Sequence, residues 1–284
     1  MSVVTTLVAV PNRIESVVEH LRRSTRESSG TLSQLISPRT LNAGEAVPNG
    51  VLGESRRLGL IDTDADNNWQ LTDEAAKADD IQALVTRILL TPDTAVRAEQ
   101  ERVGRAIAWF LTRDVHEPLP IGANWHRLVQ TDCPTADNAF DLTNPDRCRQ
   151  FAYWVAYLGF GWRLASTKRD VLVPDPTVAL ESAFRATLNP NESVPISDAI
   201  GRVADICPVI EGGSVREDVE RQLVGDRRRT DGQFSRSTSF ALTRLVEQGV
   251  IEMPPPPSDA RVMTLDLWPE PRSVSHIRLC EGQQ

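Results

Sequence analysis

Two segments of the chain, residues 51–61 (VLGESRRLGLI) and 241–251 (ALTRLVEQGVI), carry the same punctuation. Each is an apolar-periodic helix stopped by a glycine, Gly59 or Gly249, and followed at once by two apolar residues that begin a strand. A glycine after a helix takes the left-handed conformation at least cost, so the chain turns sharply there from helix into strand. That corner is the passage from the third helix of a winged helix into its wing. Each copy has an amphipathic helix upstream and a polar turn with a second strand downstream. The pattern predicts a mainly α, α+β protein: a winged helix over 1–75, a helical middle over 76–190 and a second winged helix over 191–284.

The elements follow from local signals. Residues 3–10 are β-branched and apolar and predict a short strand. Asn12 reads as the cap of a helix whose Ile14, Val17, Val18 and Leu21 fall on one stripe, ended by Ser28-Ser29-Gly30. Thr31 caps a short second helix and Pro48 opens the third, where its missing N–H is harmless. Leu60-Ile61, a turn over 64–68 and Trp69-Gln70-Leu71 make the first wing. The order returns later, with helices at 197–206, 214–224 and 235–248, a strand at 250–253, the Pro254–Pro257 turn and a strand at 261–267. In the middle, 78–90 and 96–110 are helical in period. Residues 151–162 (FAYWVAYLGFGW) form the richest aromatic patch, which lacks interleaved Lys or Arg and reads as core rather than as a stacking platform for bases. Val171–Thr177 reads as a strand ended by proline, leading into a helix over 178–188.

Composition narrows the function. At 284 residues and 40% hydrophobic, the chain can bury two or three modest cores. It has no apolar run of the roughly 20 residues that span a bilayer and no basic segment of a signal peptide at its start, so no membrane partner and a cytoplasmic location are expected. Cys133, Cys148, Cys207 and Cys280 lie far apart without a CxxC, which suits reduced thiols. Lys77 and Lys168 are the only lysines, so 29 of the 31 basic residues are arginine, a bias that a GC-rich genome explains without any appeal to function. The net charge of −8 argues against a protein that coats DNA non-specifically. The charge is uneven, however. Six arginines face two aspartates over 221–244, whereas ten acids face three basic residues over 59–101.

Catalytic patterns are missing. Pro174-Asp175 lacks the D/E-x-K that a restriction-type nuclease would place after it. His116, His126, Cys133 and Cys148 have irregular spacing for a metal site. There is no GxxxxGK[ST], GxGxxG after a strand, or GxSxG. The expectation is a protein that is not an enzyme and needs no metal or cofactor.

Recognition is what remains. The third helix of a helix-turn-helix unit presents its N-terminal residues to base edges, while neighbouring elements touch the backbone. In the C-terminal copy that turn is Ser235, Arg236, Ser237 and Thr238, with Arg236 able to pair bidentately with guanine. Arg221, Arg227, Arg228 and Arg229 lie just upstream, placed for phosphates. The N-terminal copy offers Asn49, with Arg39 before the helix and Arg56 and Arg57 late in it. Asp62, Asp64 and Asp66 in its wing would repel phosphate, so a protein-facing role suits that copy equally well.

The plan of tandem winged helices around a helical middle, with Tyr157-Leu158-Gly159-Phe160-Gly161-Trp162 and Val173-Pro174-Asp175-Pro176-Thr177-Val178-Ala179-Leu180, resembles the DpdG proteins. These are accessory proteins encoded in bacterial clusters that place 7-deazaguanine derivatives in DNA and restrict foreign DNA. The resemblance implies a DNA-binding accessory subunit of a modification or anti-phage defence system, working with protein partners, and it carries over no functional residues. The acidic wing fits a second plan, the tandem winged-helix partners of SMC-type complexes, whose winged helices dock on proteins. Arginine placement favours DNA; overall charge and the acidic wing favour a protein scaffold.

Overall fold

A computed structural model describes residues 2–38, 40, 46–225, 229–255, 261–267 and 270–281. The chain is mixed α+β, with helices carrying most of the structure and small antiparallel sheets between them. The N-terminal segment runs α1 (Pro11–Ser24), β1 (Arg26–Glu27), α2 (Ser29–Ile36), α3 (Ala46–Arg57), β2 (Ile61–Thr63) and β3 (Trp69–Leu71). Its strands pair in the order β1-β3-β2. The stripe of Ile14, Val17, Val18 and Leu21 is buried as its spacing requires. Pro11, not Asn12, opens α1, and Ser28, not Thr31, caps α2 by accepting the Thr31 N–H at 3.2 Å.

Residues 3–10 form turns rather than a strand. Val3, Val4 and Ala9 are buried, but their backbone finds partners without a sheet. Thr5 and Thr6 donate to the Ser2 carbonyl at 2.9 Å, and Gln150 Nε2 donates to the carbonyls of Val3 at 3.0 Å and Ala9 at 2.9 Å. Apolar content accounts for the burial of Val3, Val4 and Ala9, although Leu7 is exposed. That content says nothing about which groups satisfy the backbone.

The middle segment continues with α4 (Asp73–Lys77), α5 (Ile81–Leu90), α6 (Pro92–Arg97), α7 (Glu101–Phe110), β4 (Leu119–Pro120) and α8 (Trp125–Asp132). A 3-10 turn (Asp137–Asp141), α9 (Pro145–Tyr157), β5 (Gly161–Ala165), β6 (Asp170–Pro174) and α10 (Thr177–Thr187) follow. The expected single helix over 96–110 is broken between α6 and α7, where Glu99 takes a φ of 58°. The segment also holds a sheet of order β4-β6-β5. Its aromatic patch is core except at Tyr153 and Trp162, which are exposed. Phe151, Trp154 and Phe160 are buried, and Phe151 meets Phe110 and Trp125 edge-on, with centroids 5.9 and 6.1 Å apart.

The C-terminal segment comprises β7 (Ser193–Pro195), α11 (Ile196–Ile206), α12 (Ser214–Gln222), α13 (Arg236–Glu247), β8 (Ile251–Glu252), β9 (Met263–Leu265), β10 (Arg272–Val274) and β11 (His276–Leu279). The expected return strand at 261–267 does not pair with β8. It forms a hairpin with β10, and β8 pairs instead with β11 in a sheet of order β7-β11-β8. Along β11 Ile277 and Leu279 turn inward while Arg278 faces out onto Glu252 of β8.

Three helices end alike. Gly59, Gly159 and Gly249 have φ of 69°, 80° and 68°, and each donates to the carbonyl three residues back, on Arg56, Ala156 and Val246. The next residue, Leu60, Phe160 or Val250, is buried and donates to the carbonyl five residues back, on Ser55, Val155 and Leu245. This paired arrangement satisfies the carbonyls that a helix end leaves open and aims the following strand. Buried apolar residues of all three segments belong to one contiguous cluster. Polar ties also cross between segments, since Arg216 on α12 donates to the Ala108 carbonyl at 3.0 Å.

Candidate nucleic-acid interface

The start of α13 is built around a buried carboxylate. Ser235 caps the helix, and its N–H donates to Glu211 Oε1 at 3.0 Å while its hydroxyl donates to the same oxygen. Thr238 donates its hydroxyl to Glu211 Oε2 at 2.6 Å, and Arg216, itself buried, lies 3.5 Å from Oε1. Burial disfavours the Glu211 charge, but Arg216 and the Ser235 and Thr238 hydroxyls outweigh it and hold the carboxyl below its usual range. Ser237 donates to the Leu111 carbonyl at 2.5 Å. Ser235, Ser237 and Thr238, expected to face base edges, are therefore turned into the protein and have no solvent-facing hydroxyl to offer.

The arginines of this corner also have protein partners. Arg236 is half-exposed, pairs with Asp114, and reaches Asp266 through Nε at 3.1 Å. Burial of Asp114 is outweighed by the His116 N–H and Arg236, which hold its carboxyl low. Arg229 donates to Glu220 at 2.9 Å and to the Gln233 carbonyl at 3.3 Å. Arg221 stands out in solvent, 3.2 Å from Asp218. Arg227, Arg228 and Arg39 lie outside the described residues. Beside Arg216, Arg229 and Arg236 is a cleft of about 300 Å³ whose acidic lining, Asp114, Glu117, Glu220 and Asp266, balances those arginines.

On α3 the arrangement differs. Ala46, Asn49, Gly53 and Arg56 share an exposed face, and a side chain at Gly53 would enter open space. Arg56 pairs with Asp62 at 2.9 Å, whereas Arg57 is drawn inward to the buried Glu54. The turn between β2 and β3 is organised by Asp64, which accepts the N–H groups of Asp66 and Asn68 at 2.9 Å each. Those bonds, the Asn68 N–H first, hold its carboxyl below the ordinary range.

Among the described residues, no group of three or more His, Cys, Asp and Glu side chains is placed to hold a metal ion, and no helix is long and apolar enough to cross a membrane. Cys133, Cys148 and Cys207 are buried, and desolvation pushes their thiols up to about 12, 11 and 12. Sequence reasoning missed Glu211, which organises the whole corner. The run Pro208–Gly213 reads as an ordinary turn, and a single acid in it gives no sign of being buried.

Fold and surface together define a mixed α+β protein of glycine-cornered helix–strand units. The chain belongs to the DpdG-like family, whose model matches residues 1–260. That membership associates it with the bacterial 7-deazaguanine DNA-modification system. No curated protein and no solved structure matches the chain.

Proposed function

We propose that this chain is a non-catalytic, DNA-binding accessory subunit of a bacterial 7-deazaguanine modification and restriction system, acting in the cytoplasm in complex with other protein subunits. Its N- and C-terminal segments are read as winged helices. The observation that carries this reading is the N-terminal order of helix, strand, two helices and two strands, with the sheet order β1-β3-β2 and the outer face of α3 left open. A helix held by its inner stripe and bare on its outer face has the form that enters a major groove. Of the residues named from the sequence, Asn49 and Arg56 on α3 and Arg221 on α12 are the ones left facing solvent, while Ser235, Arg236, Ser237, Thr238 and Arg229 hold α13 in place. Family membership supplies the setting.

A second reading, a scaffold whose winged helices dock proteins, is favoured by one observation: Asp62 and Asp66 stand exposed beside the α3 face. The two readings separate in an anisotropy titration of the purified chain against a labelled duplex of about two helical turns. Saturable binding that unlabelled duplex competes away supports the DNA reading. No binding at low salt rejects it in favour of the scaffold.

A further inference from the structure

Apart from the 3-10 turn between α8 and α9, the part of the middle segment from α7 to β6 repeats the order of the N-terminal one. Helix α7, strand β4, helices α8 and α9 and strands β5 and β6 follow in the sequence of α1, β1, α2, α3, β2 and β3. The sheets agree as well, β4-β6-β5 against β1-β3-β2, both antiparallel throughout. Gly159 closes α9 with the same pair of hydrogen bonds as Gly59 closes α3. We propose that residues 101–174 are a third winged helix, and that its α9 face and β5–β6 hairpin form the surface on which duplex DNA docks. This inference rests on the reading of the chain as a DNA-binding protein and names the place of contact.

Charge and exposure single out this copy. Residues 162–169 are all exposed, so the hairpin stands clear of the fold. At its tip are Lys168 and Arg169, and among the described residues neither meets a carboxylate within salt-bridge distance. Arg163 at the base pairs with Asp170 through Nε and Nη2, at 2.6 Å each, and lies 5.9 Å from the Tyr153 ring centroid. Tyr153 and Arg149 share the open face of α9, one turn apart, with Asp146 2.8 Å from Arg149. The patch thus carries four positive charges against two negative ones in a chain of net charge −8.

The other copies lack this combination. The N-terminal turn carries Asp64 and Asp66, whereas this one carries Lys168 and Arg169, and on the first turn of α13 Ser237, Thr238 and Ser239 are buried while Arg236 is held by Asp114 and Asp266. A protruding basic ribbon beside an open helix face matches a phosphate backbone next to a groove, and unneutralised cations at its tip are the groups that release counterions.

The test uses the full chain and an unmodified duplex. Lys168→Ala with Arg169→Ala should weaken binding at least several-fold and flatten the dependence of log K on log salt by about two units, at roughly 0.9 per lost phosphate contact. Removing the same charge on the far helices, with Arg185→Ala and Arg202→Ala, should leave the slope in place. In the unaltered chain, duplex should slow amide exchange over 161–174, a readout that needs no variant. Unchanged binding in the tip variant, an equal loss in the control, or unchanged exchange with DNA bound each overturns the third-copy surface while the DNA reading stands. Failure of the unaltered chain to bind duplex overturns the reading beneath it.

Discussion

Ser237 on α13 donates its hydroxyl to the carbonyl of Leu111, just past α7, at 2.5 Å. The bond joins two helices 126 residues apart in sequence and fixes the first turn of α13 against the middle segment. A turn used in this way is an internal joint. The serine-rich stretch that reads as a recognition surface is explained by capping and by Glu211 instead.

The buried ion pair at this joint makes the first prediction. Arg216 and Glu211 are both buried, so Arg216→Ala leaves a carboxylate without its countercharge and should cost about 3–5 kcal/mol of unfolding free energy in urea. Glu211→Gln adds a pH test. The Glu211 carboxyl lies below its ordinary value of 4.5, so its contribution is present above that pH and is lost as pH falls toward the folded-state value. The unaltered chain should therefore weaken below about pH 4.5 more steeply than the variant does. Parallel curves would exclude this role for Glu211.

The three corner glycines should differ in cost. A Cβ at Gly59 or Gly249 meets nothing within 4 Å, so alanine there bears only the left-handed backbone penalty, about 1–2 kcal/mol. At Gly159 the added carbon would lie 3.0 Å from Val178 Cβ and 3.1 Å from the Ala179 nitrogen, against backbone that cannot yield freely. Gly159→Ala should be the most destabilising of the three by denaturant midpoint. Equal costs would mean that α10 shifts without penalty.

Thiol reactivity tests the core. Cys133, Cys148 and Cys207 are buried with thiols raised to about 11 or 12, whereas Cys280 is partly exposed. A maleimide or disulfide reagent at pH 8 should label Cys280 in the folded chain and all four in denaturant. Rapid labelling of Cys148 under native conditions would contradict the packing around Trp125.

Much of the fold is legible in the sequence. The stripe from Ile14 to Leu21, the Gly59 and Gly249 corners and the aromatic core all follow from periodicity and from the conformational freedom of glycine. The third corner was hidden by its surroundings. Gly159 sits inside an aromatic run that reads as continuous core, and β4 is two residues long, too short for any alternation to show. The pairing of β8 with β11 skips an intervening hairpin, and local sequence does not encode which distant strand an edge will choose. The candidate surface was harder still. Arginine placement is visible in a sequence, but Asp114, Asp266, Glu220 and Glu211, which tie down Arg236, Arg229 and Arg216, come from other elements and are brought close only by the fold.

One of those arginines separates anchor from contact. Arg236 is held by Asp114 and Asp266, and because it is half-exposed, Arg236→Ala should cost about 1 kcal/mol or less in stability. Its effect on the salt dependence of DNA binding should be nil. A loss of affinity confined to particular DNA sequences would return Arg236 to the groove.

The most direct measurement is the salt dependence of duplex binding by the full chain. With Arg149, Arg163, Lys168 and Arg169 facing phosphates, log K should fall against log salt with a slope of about −3 to −4. A slope near zero, or no binding at low salt, would contradict DNA as the partner and leave the protein-docking reading in its place.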